Sequence, residues 1–168
     1  MRHPLFARVF DRVVGPAMEH EISPLREELL AGLHGRVLEV GAGNGLNFAH
    51  YPPSVSEVVA LEPEPYLRAR AELAANAAPV DVSMRDGLAE TIPTEAASFD
   101  AAVASIVLCS VADPALALSE LRRVLAPGGR AALLRARALG PATQGEDPAA
   151  ARSGGRLAAD RGRLPLRP

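Results

Sequence analysis

Residues 37–45 are Val37-Leu38-Glu39-Val40-Gly41-Ala42-Gly43-Asn44-Gly45, an apolar run of strand type that passes through one acidic residue into a Gly-x-Gly-x-Gly turn. Glycines at alternate positions let the backbone turn sharply and let a ligand approach it closely, because no Cβ atoms stand in the way. Such a turn after a predicted strand is typical of nucleotide-cofactor sites. The stretch therefore predicts the first strand of an α/β unit, followed by a turn that faces a ligand.

A second acidic residue supports this interpretation. Glu62 follows the apolar run at residues 58–61, and it lies about 20 residues beyond the first glycine of the turn, a separation that suits one βαβ unit. A cofactor that contains adenosine needs an acceptor for its ribose hydroxyls, and a carboxylate at this position can supply one. We therefore expect Glu62 to lie beside the glycine turn.

The spacing of apolar residues predicts an alternation of strands and helices over the rest of the chain. Before the first strand we expect two amphipathic helices, separated at Ser23-Pro24, where Ser23 would cap the second helix. Strands are predicted at residues 36–40, 58–61, 80–84, 99–107 and 130–134, and helices at 44–50, 65–78 and 114–125. Because helical crossovers join parallel strands, the predicted fold class is α/β: a Rossmann-like, doubly wound, mostly parallel sheet of about five strands with helices on both faces.

The pattern also predicts where the domain ends. Residues 1–134 are expected to form one domain, in which residues 1–35 are an N-terminal helical cap. Residues 135–168 are rich in Ala, Arg, Gly and Pro and show no sustained apolar period. We expect this stretch to be a low-complexity, disordered tail.

The charge balance and the cysteine content limit the kinds of binding partner and site that we expect. The 18 basic and 20 acidic residues nearly cancel, so neither nucleic acid nor an anionic membrane is expected as a partner, and a small molecule is. The N-terminal residues show no signal-peptide core, which predicts a cytoplasmic protein. Cys109 is the single cysteine; it excludes an internal disulfide and, without a Cys/His cluster, no metal site is predicted. We expect Cys109 to be a small buried hydrophobe.

Five motifs, in order, resemble those of class I S-adenosylmethionine-dependent methyltransferases. They are the run at 37–45, Glu62-Pro63, Asp86-Gly87, Ser98-Phe99-Asp100 and Pro127-Gly128-Gly129-Arg130. Residues 47–53 and 106–111 are similar to the branch of methyltransferase-like proteins associated with small thiol acceptors, and the chain also resembles the broader methyltransferase type 11 group. The resemblance ends near residue 134, and no antiparallel hairpin of the kind that usually completes the sheet of this superfamily is recognisable after it.

The resemblance implies S-adenosylmethionine as the cofactor, and it implies a role for each motif. The glycine turn would receive the methionine carboxylate, Glu39 would hold the ammonium directly or through water, and Glu62 would accept the ribose hydroxyls. Asp86 would accept the adenine amino group, the Gly87 N–H would face the ring, and Ser105 would touch the methionine moiety. The implied cofactor-binding residues are Glu39, Gly41, Ala42, Gly43, Asn44, Gly45, Glu62, Pro63, Asp86, Gly87 and Ser105.

The implied activity is methyl transfer to a small-molecule acceptor, with a thiol as one candidate, by direct in-line displacement. His20, His50 and Tyr51 are the polar groups to inspect for a base, and the sequence assigns no catalytic residue and no oligomeric state. Two other functions stay open. The chain could be a truncated relative that binds the cofactor without turnover. It could also be an NAD-dependent oxidoreductase, although the dinucleotide motif has two residues between its second and third glycines and this chain has only Asn44 there.

Overall fold

The computed structural model describes residues 15–134, so the first part of the predicted cap and the predicted tail at 135–168 lie outside the described residues. The helices are α1 (Gly15–Leu30), α2 (Pro65–Ala75) and α3 (Pro114–Val124), with a short 3-10 helix at Phe48–His50. The strands are β1 (Gly35–Val40), β2 (Val55–Leu61), β3 (Val82–Arg85), β4 (Phe99–Ser105) and β5 (Leu125–Leu134). No helix within residues 15–134 combines the length and the apolar character needed to span a bilayer.

The five strands form one sheet in the order β3-β2-β1-β4-β5, and every neighbouring pair is parallel. The chain moves outward from β1 to β3 and then returns to the other side of β1 with β4. The strand order therefore reverses between β1 and β4, which is where open α/β sheets bind their ligands. This topology confirms the predicted doubly wound fold.

The sheet is covered on both faces, because β1, β2 and β4 are apolar on both sides. One face packs against α1, the 3-10 helix and α2 through Leu30, Phe48 and Ala71. The opposite face packs against α3, whose buried residues are Ala117, Leu121 and Val124. Fully covered parallel strands account for the near-continuous apolar runs that the sequence shows in these strands.

The predicted break at Ser23-Pro24 was wrong, because α1 continues through Pro24. An internal proline removes one backbone hydrogen bond and crowds the preceding turn. Here the helix is held on both sides of Pro24 by a buried face that repeats every four residues: Ile22, Arg26 and Leu30 are all less than 9 % exposed. Tertiary packing therefore outweighs the local preference of proline for a helix start.

The predicted short helix at residues 44–50 forms only in part. Only the 3-10 turn at Phe48–His50 forms there. The glycine turn consumes the beginning of the segment, and Tyr51 leaves the helix with an extended backbone, at a ψ of 130°. The segment is therefore too short for an α-helix. A single 3-10 turn has no substantial helix dipole to attract an anion, so the backbone N–H groups of the glycine turn are the hydrogen-bond donors that this segment can offer to a ligand.

Candidate functional site

The strand register brings the predicted site residues to one edge of the sheet. Val40 pairs with Leu61 on one side and with Ala104 on the other, and Leu61 pairs with Arg85. The residues that follow these positions at the carboxyl end of each strand are Asp86, Glu62, Gly41 and Ser105, in that spatial order. Four motifs that are far apart in the sequence therefore lie side by side at the switch point of the sheet.

The three glycines of the turn all adopt the left-handed backbone conformation, with φ of 66°, 60° and 83° for Gly41, Gly43 and Gly45. A Cβ at Gly41 would lie 2.1 Å from the Val107 side chain, and one at Gly45 would lie 2.9 Å from Phe48. A Cβ at Gly43 would meet nothing within 4 Å. The first and third glycines thus allow close packing within the protein, whereas the second faces open space, as a backbone that cradles a ligand would.

Glu62 lies against this turn, as predicted. Its side chain is buried, and its two carboxylate oxygens accept the backbone N–H groups of Gly43 and Glu64, each at 2.9 Å. Burial raises the pKa of Glu62 above its ordinary value, while the two N–H groups oppose that shift. The carboxylate is therefore held in one orientation beside the glycine turn, with Pro63 half-buried next to it.

Glu39 is more deeply buried, and it reaches the segment beyond the turn. One oxygen accepts the Asn47 amide and the other accepts the Tyr51 hydroxyl, both at 2.7 Å. Burial raises the pKa of Glu39 to about 7, against the opposing effect of these two hydrogen bonds and of the Arg26 charge. Burial and the neighbouring Glu39 also raise the pKa of Tyr51 well above its usual range. The Glu39 carboxyl is thus a buried group whose ionisation falls near neutral pH.

This burial predicts a pH-dependent stability. A carboxyl whose pKa is higher in the folded chain than in the unfolded chain stabilises the fold at low pH, and that contribution is lost as the pH rises through the folded value. For Glu39 the window runs from pH 4.5 to about 7. We expect Glu39→Gln to gain stability relative to the wild type across this window by up to about 3 kcal/mol. Urea unfolding of both proteins from pH 4.5 to 8 measures the difference; a constant difference would contradict it.

The remaining predicted residues border the same edge. The Asp86 side chain is 55 % exposed and lies 3.6 Å from Arg68 of α2, whose guanidinium also donates to the Glu62 carbonyl oxygen. The Ser105 hydroxyl is buried and has no hydrogen-bond partner within residues 15–134. A buried hydroxyl without a partner is costly, so this group can accept or donate a bond to a ligand. Ala42 is buried, and Asn44 and Gly87 are partly exposed.

Two loops after the strands form the rim of this edge, and they are tied together. The Ala112 N–H donates to Glu90 at 2.7 Å, which joins the segment after β4 to the segment after β3. Arg123 of α3 donates to the carbonyl oxygens of Ile92 and Thr94, which anchors the loop after β3 on the helix. Ile106, directly after β4, has a φ of 55°, a strained conformation of the kind that clusters at functional sites.

The sequence did not predict the hydrogen bonds that Arg26, Asn47 and Tyr51 make around Glu39. Arg26 donates to Asn47 at 2.5 Å, so α1 reaches the polar residues around Glu39. Tyr51 was singled out only as a candidate base, but the structure makes it a hydrogen-bond partner of Glu39. An acidic residue in a buried apolar strand requires polar partners nearby. That requirement could have pointed to Asn47 and Tyr51, which lie four residues apart shortly after the turn. Nothing in the sequence marks Arg26.

Three further residues named in the sequence analysis are the two candidate bases His20 and His50, and Cys109. His50 lies 3.6 Å from Glu27 of α1, and the side chain of His20 is outside the described part of the chain. Cys109 is exposed, so the expected burial was wrong; it belongs to the turn after β4, which lies at the sheet edge rather than in the core. Across residues 15–134, no cluster of His, Cys, Asp or Glu is arranged to hold a metal ion.

Comparisons with known proteins agree with this geometry. A family model described as a methyltransferase domain matches residues 38–133. The chain is 35 % identical over 136 residues to the human (Homo sapiens) thiol S-methyltransferase TMT1B, a match that covers 70 % of this chain and 52 % of that protein. The chain thus spans about half the length of the relatives it matches.

Solved structures show the same likeness. The YcgJ protein from Bacillus superposes with a TM-score of 0.60 at 27 % identity, covering 68 % of this chain and 50 % of that one. An S-adenosylmethionine-dependent methyltransferase from Mesorhizobium loti superposes with a TM-score of 0.52 at 25 % identity, covering 64 % and 50 % respectively. The family model spans more than half of this chain, from the middle of β1 to the end of β5. The chain therefore belongs to the methyltransferase domain family.

Proposed function

We propose that the chain binds S-adenosylmethionine at the carboxyl edge of β1, β2 and β4 and transfers its methyl group to a small-molecule acceptor. The observation that carries the proposal is the register that aligns Asp86, Glu62, Gly41 and Ser105 at the switch point. Membership of the methyltransferase domain family supports the cofactor, and so does the structural likeness to the Mesorhizobium loti protein, which is described as S-adenosylmethionine-dependent.

The residues at this edge fit such a cofactor chemically. Above Gly43 there is open space, the Ser105 hydroxyl lacks a partner within the described chain, and Glu62 is a fixed buried carboxylate. Each Glu62 oxygen accepts one backbone N–H and retains capacity for another donor, such as a ribose hydroxyl. Asp86, at the next strand end, can accept an adenine amino group. These residues would hold the adenosine and methionine portions across the edge of the sheet.

When bound, the cofactor supplies an activated methyl group on a sulfonium, which a nucleophile can displace in line. The protein's task is then mainly to fix the two reactants at the correct distance and angle. Gly41, Gly43 and Gly45 give the turn its left-handed backbone, and the hydrogen bond between Ala112 and Glu90 joins the two rim loops beside it. Neither a metal nor a covalent intermediate is required for this chemistry.

A thiol is the acceptor class that we propose to test first. A thiol with an ordinary pKa near 8.5 is already partly ionised at neutral pH, so its methylation needs little help from a base. This suits a site in which Tyr51 is bonded to Glu39 and His50 lies beside Glu27. The name of the human relative, a thiol S-methyltransferase, supports the same choice. An oxygen or nitrogen acceptor would require a better placed base.

The alternative to be tested beside this proposal is cofactor binding without turnover. The decisive experiment is a calorimetric titration of the purified chain with S-adenosylmethionine and S-adenosylhomocysteine, with NADH as the control. We expect saturable binding of the first two only. A screen of small thiols for methylation would then separate an enzyme from a non-catalytic binder. Binding of NADH alone, or of no ligand by folded protein, would refute the proposed cofactor.

A further inference from the structure

Four polar residues form a continuous buried chain of hydrogen bonds beside the glycine turn. Arg26 Nη1 donates to Asn47 Oδ1 at 2.5 Å, Asn47 Nδ2 donates to Glu39 Oε1 at 2.7 Å, and the Tyr51 hydroxyl donates to Glu39 Oε2 at 2.7 Å. All four residues are at most 8 % exposed. We call this set, Arg26, Asn47, Glu39 and Tyr51, the buried polar chain.

The buried polar chain brackets the turn. Glu39 belongs to β1 and precedes the glycines, Asn47 and Tyr51 follow them, and Arg26 comes from α1. Because an arginine can only donate and a carboxylate can only accept, the orientation of the Asn47 amide is fixed by its two neighbours. Arg26 therefore determines how Asn47 presents its N–H group to Glu39. Along the backbone, α1 is connected to the residues after the turn only through β1 and the turn itself. The hydrogen bond from Arg26 to Asn47 connects them directly.

The positive charge of Arg26 also affects the ionisation of Glu39. Removing a carboxylate from water is costly unless a positive charge or hydrogen bonds compensate. Within the described residues, the charged or titratable groups that act on Glu39 are Tyr51 of the post-turn segment and Arg26 of α1. The hydrogen bond from Tyr51 and the positive charge of Arg26 both favour the ionised form, and Arg26 is the group of the two that carries a charge. Without Arg26, the carboxyl would be neutral at higher pH, and its bonds to Asn47 and Tyr51 would weaken.

We propose that Arg26 is a positioning residue of the cofactor site, which acts through Asn47 on the Glu39 carboxylate and so makes cofactor affinity depend on α1. The inference rests on the proposed function. It differs from a purely structural role, in which Arg26 would stabilise α1 against the sheet without changing the turn.

The test compares Arg26→Met with Arg36→Met. Both replacements remove a hydrogen-bonded arginine, but Arg36 lies at the amino end of β1, bonded to Glu57 and to the Ser98 carbonyl oxygen, away from the turn. Affinity for S-adenosylhomocysteine is measured by calorimetry at pH 8, where each variant is shown by urea unfolding to be folded. We expect Arg26→Met to bind about tenfold more weakly, as for the loss of a charged hydrogen bond, and Arg36→Met to bind like the wild type.

Two further measurements separate positioning from structure. Arg26→Lys, which keeps a charged donor, should recover most of the affinity. The midpoint of the pH dependence of affinity should move upward in Arg26→Met and stay in place in Arg36→Met, because only the first change removes the charge beside Glu39. If Arg26→Met does not fold, Asn47→Ala breaks the same link and should show the same loss of affinity.

The outcomes are distinguishable. If Arg26→Met or Asn47→Ala binds S-adenosylhomocysteine as tightly as the wild type does, the role of Arg26 is refuted and the proposed function stands. An equal loss in Arg36→Met would also overturn it, since the effect would then be general destabilisation. Absence of binding by folded wild-type protein would overturn the proposed function, and the inference with it.

Discussion

Gly43→Val is expected to abolish measurable cofactor binding, with a loss of affinity of at least about 100-fold, or roughly 2.7 kcal/mol. Gly43 is the one glycine of the turn whose Cβ direction is open for 4 Å in the protein itself. A Cβ there meets no protein atom within 4 Å, so we expect the isopropyl group of a valine to occupy the space that we assign to the cofactor. Calorimetric titration with S-adenosylhomocysteine measures the loss.

Backbone strain is the confounding effect, and the chain offers a matched control for it. Gly43 has a φ of 60°, and a side chain in this left-handed conformation costs about 1–2 kcal/mol of stability. Gly128, in β5, has a φ of 84° and an equally open Cβ direction. Gly128→Val should therefore lower stability to a similar extent while it keeps wild-type cofactor affinity. Equal affinity in both variants would place the cofactor elsewhere.

The sequence was sufficient to predict the framework of the site because the framework depends on local signals. The apolar run before the glycines, the acid that ends the next strand, and the period of the helices are each readable within a short window. Parallel pairing then follows from the crossovers, and parallel pairing brings the ends of β1, β2, β3 and β4 together. The positions of Gly41, Glu62, Asp86 and Ser105 at one edge are thus consequences of order and register.

What the sequence did not predict depends on contacts between distant segments. Arg26 and Asn47 are 21 residues apart and belong to elements that meet only after the sheet has formed. The continuation of α1 through Pro24 depends on a buried face that propensity does not take into account. The pKa of Glu39 likewise follows from complete burial, which a residue's identity does not determine. Each of these features depends on tertiary packing, and at Pro24 that packing outweighs the local preference.

Glu62→Ala is the second large effect that we expect. If Glu62 accepts the ribose hydroxyls, the variant loses charged hydrogen bonds worth about 1.5–3 kcal/mol, which corresponds to roughly 10- to 150-fold weaker binding. S-adenosylmethionine and S-adenosylhomocysteine should lose affinity equally, because they share the ribose. Glu64→Ala is the control: its carboxylate caps α2 by accepting the Leu67 N–H at 2.8 Å, so the change should cost helix stability. Alanine keeps the backbone N–H that holds Glu62, and the loss of a partly exposed charge should leave affinity within about threefold.

Glu62 also holds the Gly43 N–H at 2.9 Å, so a loss of affinity could arise from a displaced turn rather than from the missing ribose contact. A double-mutant cycle with a 2′-deoxy analogue of S-adenosylhomocysteine separates the two causes. If the carboxylate binds the hydroxyl directly, the analogue binds the wild type more weakly than the parent compound does, and this difference disappears in Glu62→Ala. If Glu62 acts only by holding the turn, the two compounds differ equally in both proteins, and the role assigned to Glu62 is wrong.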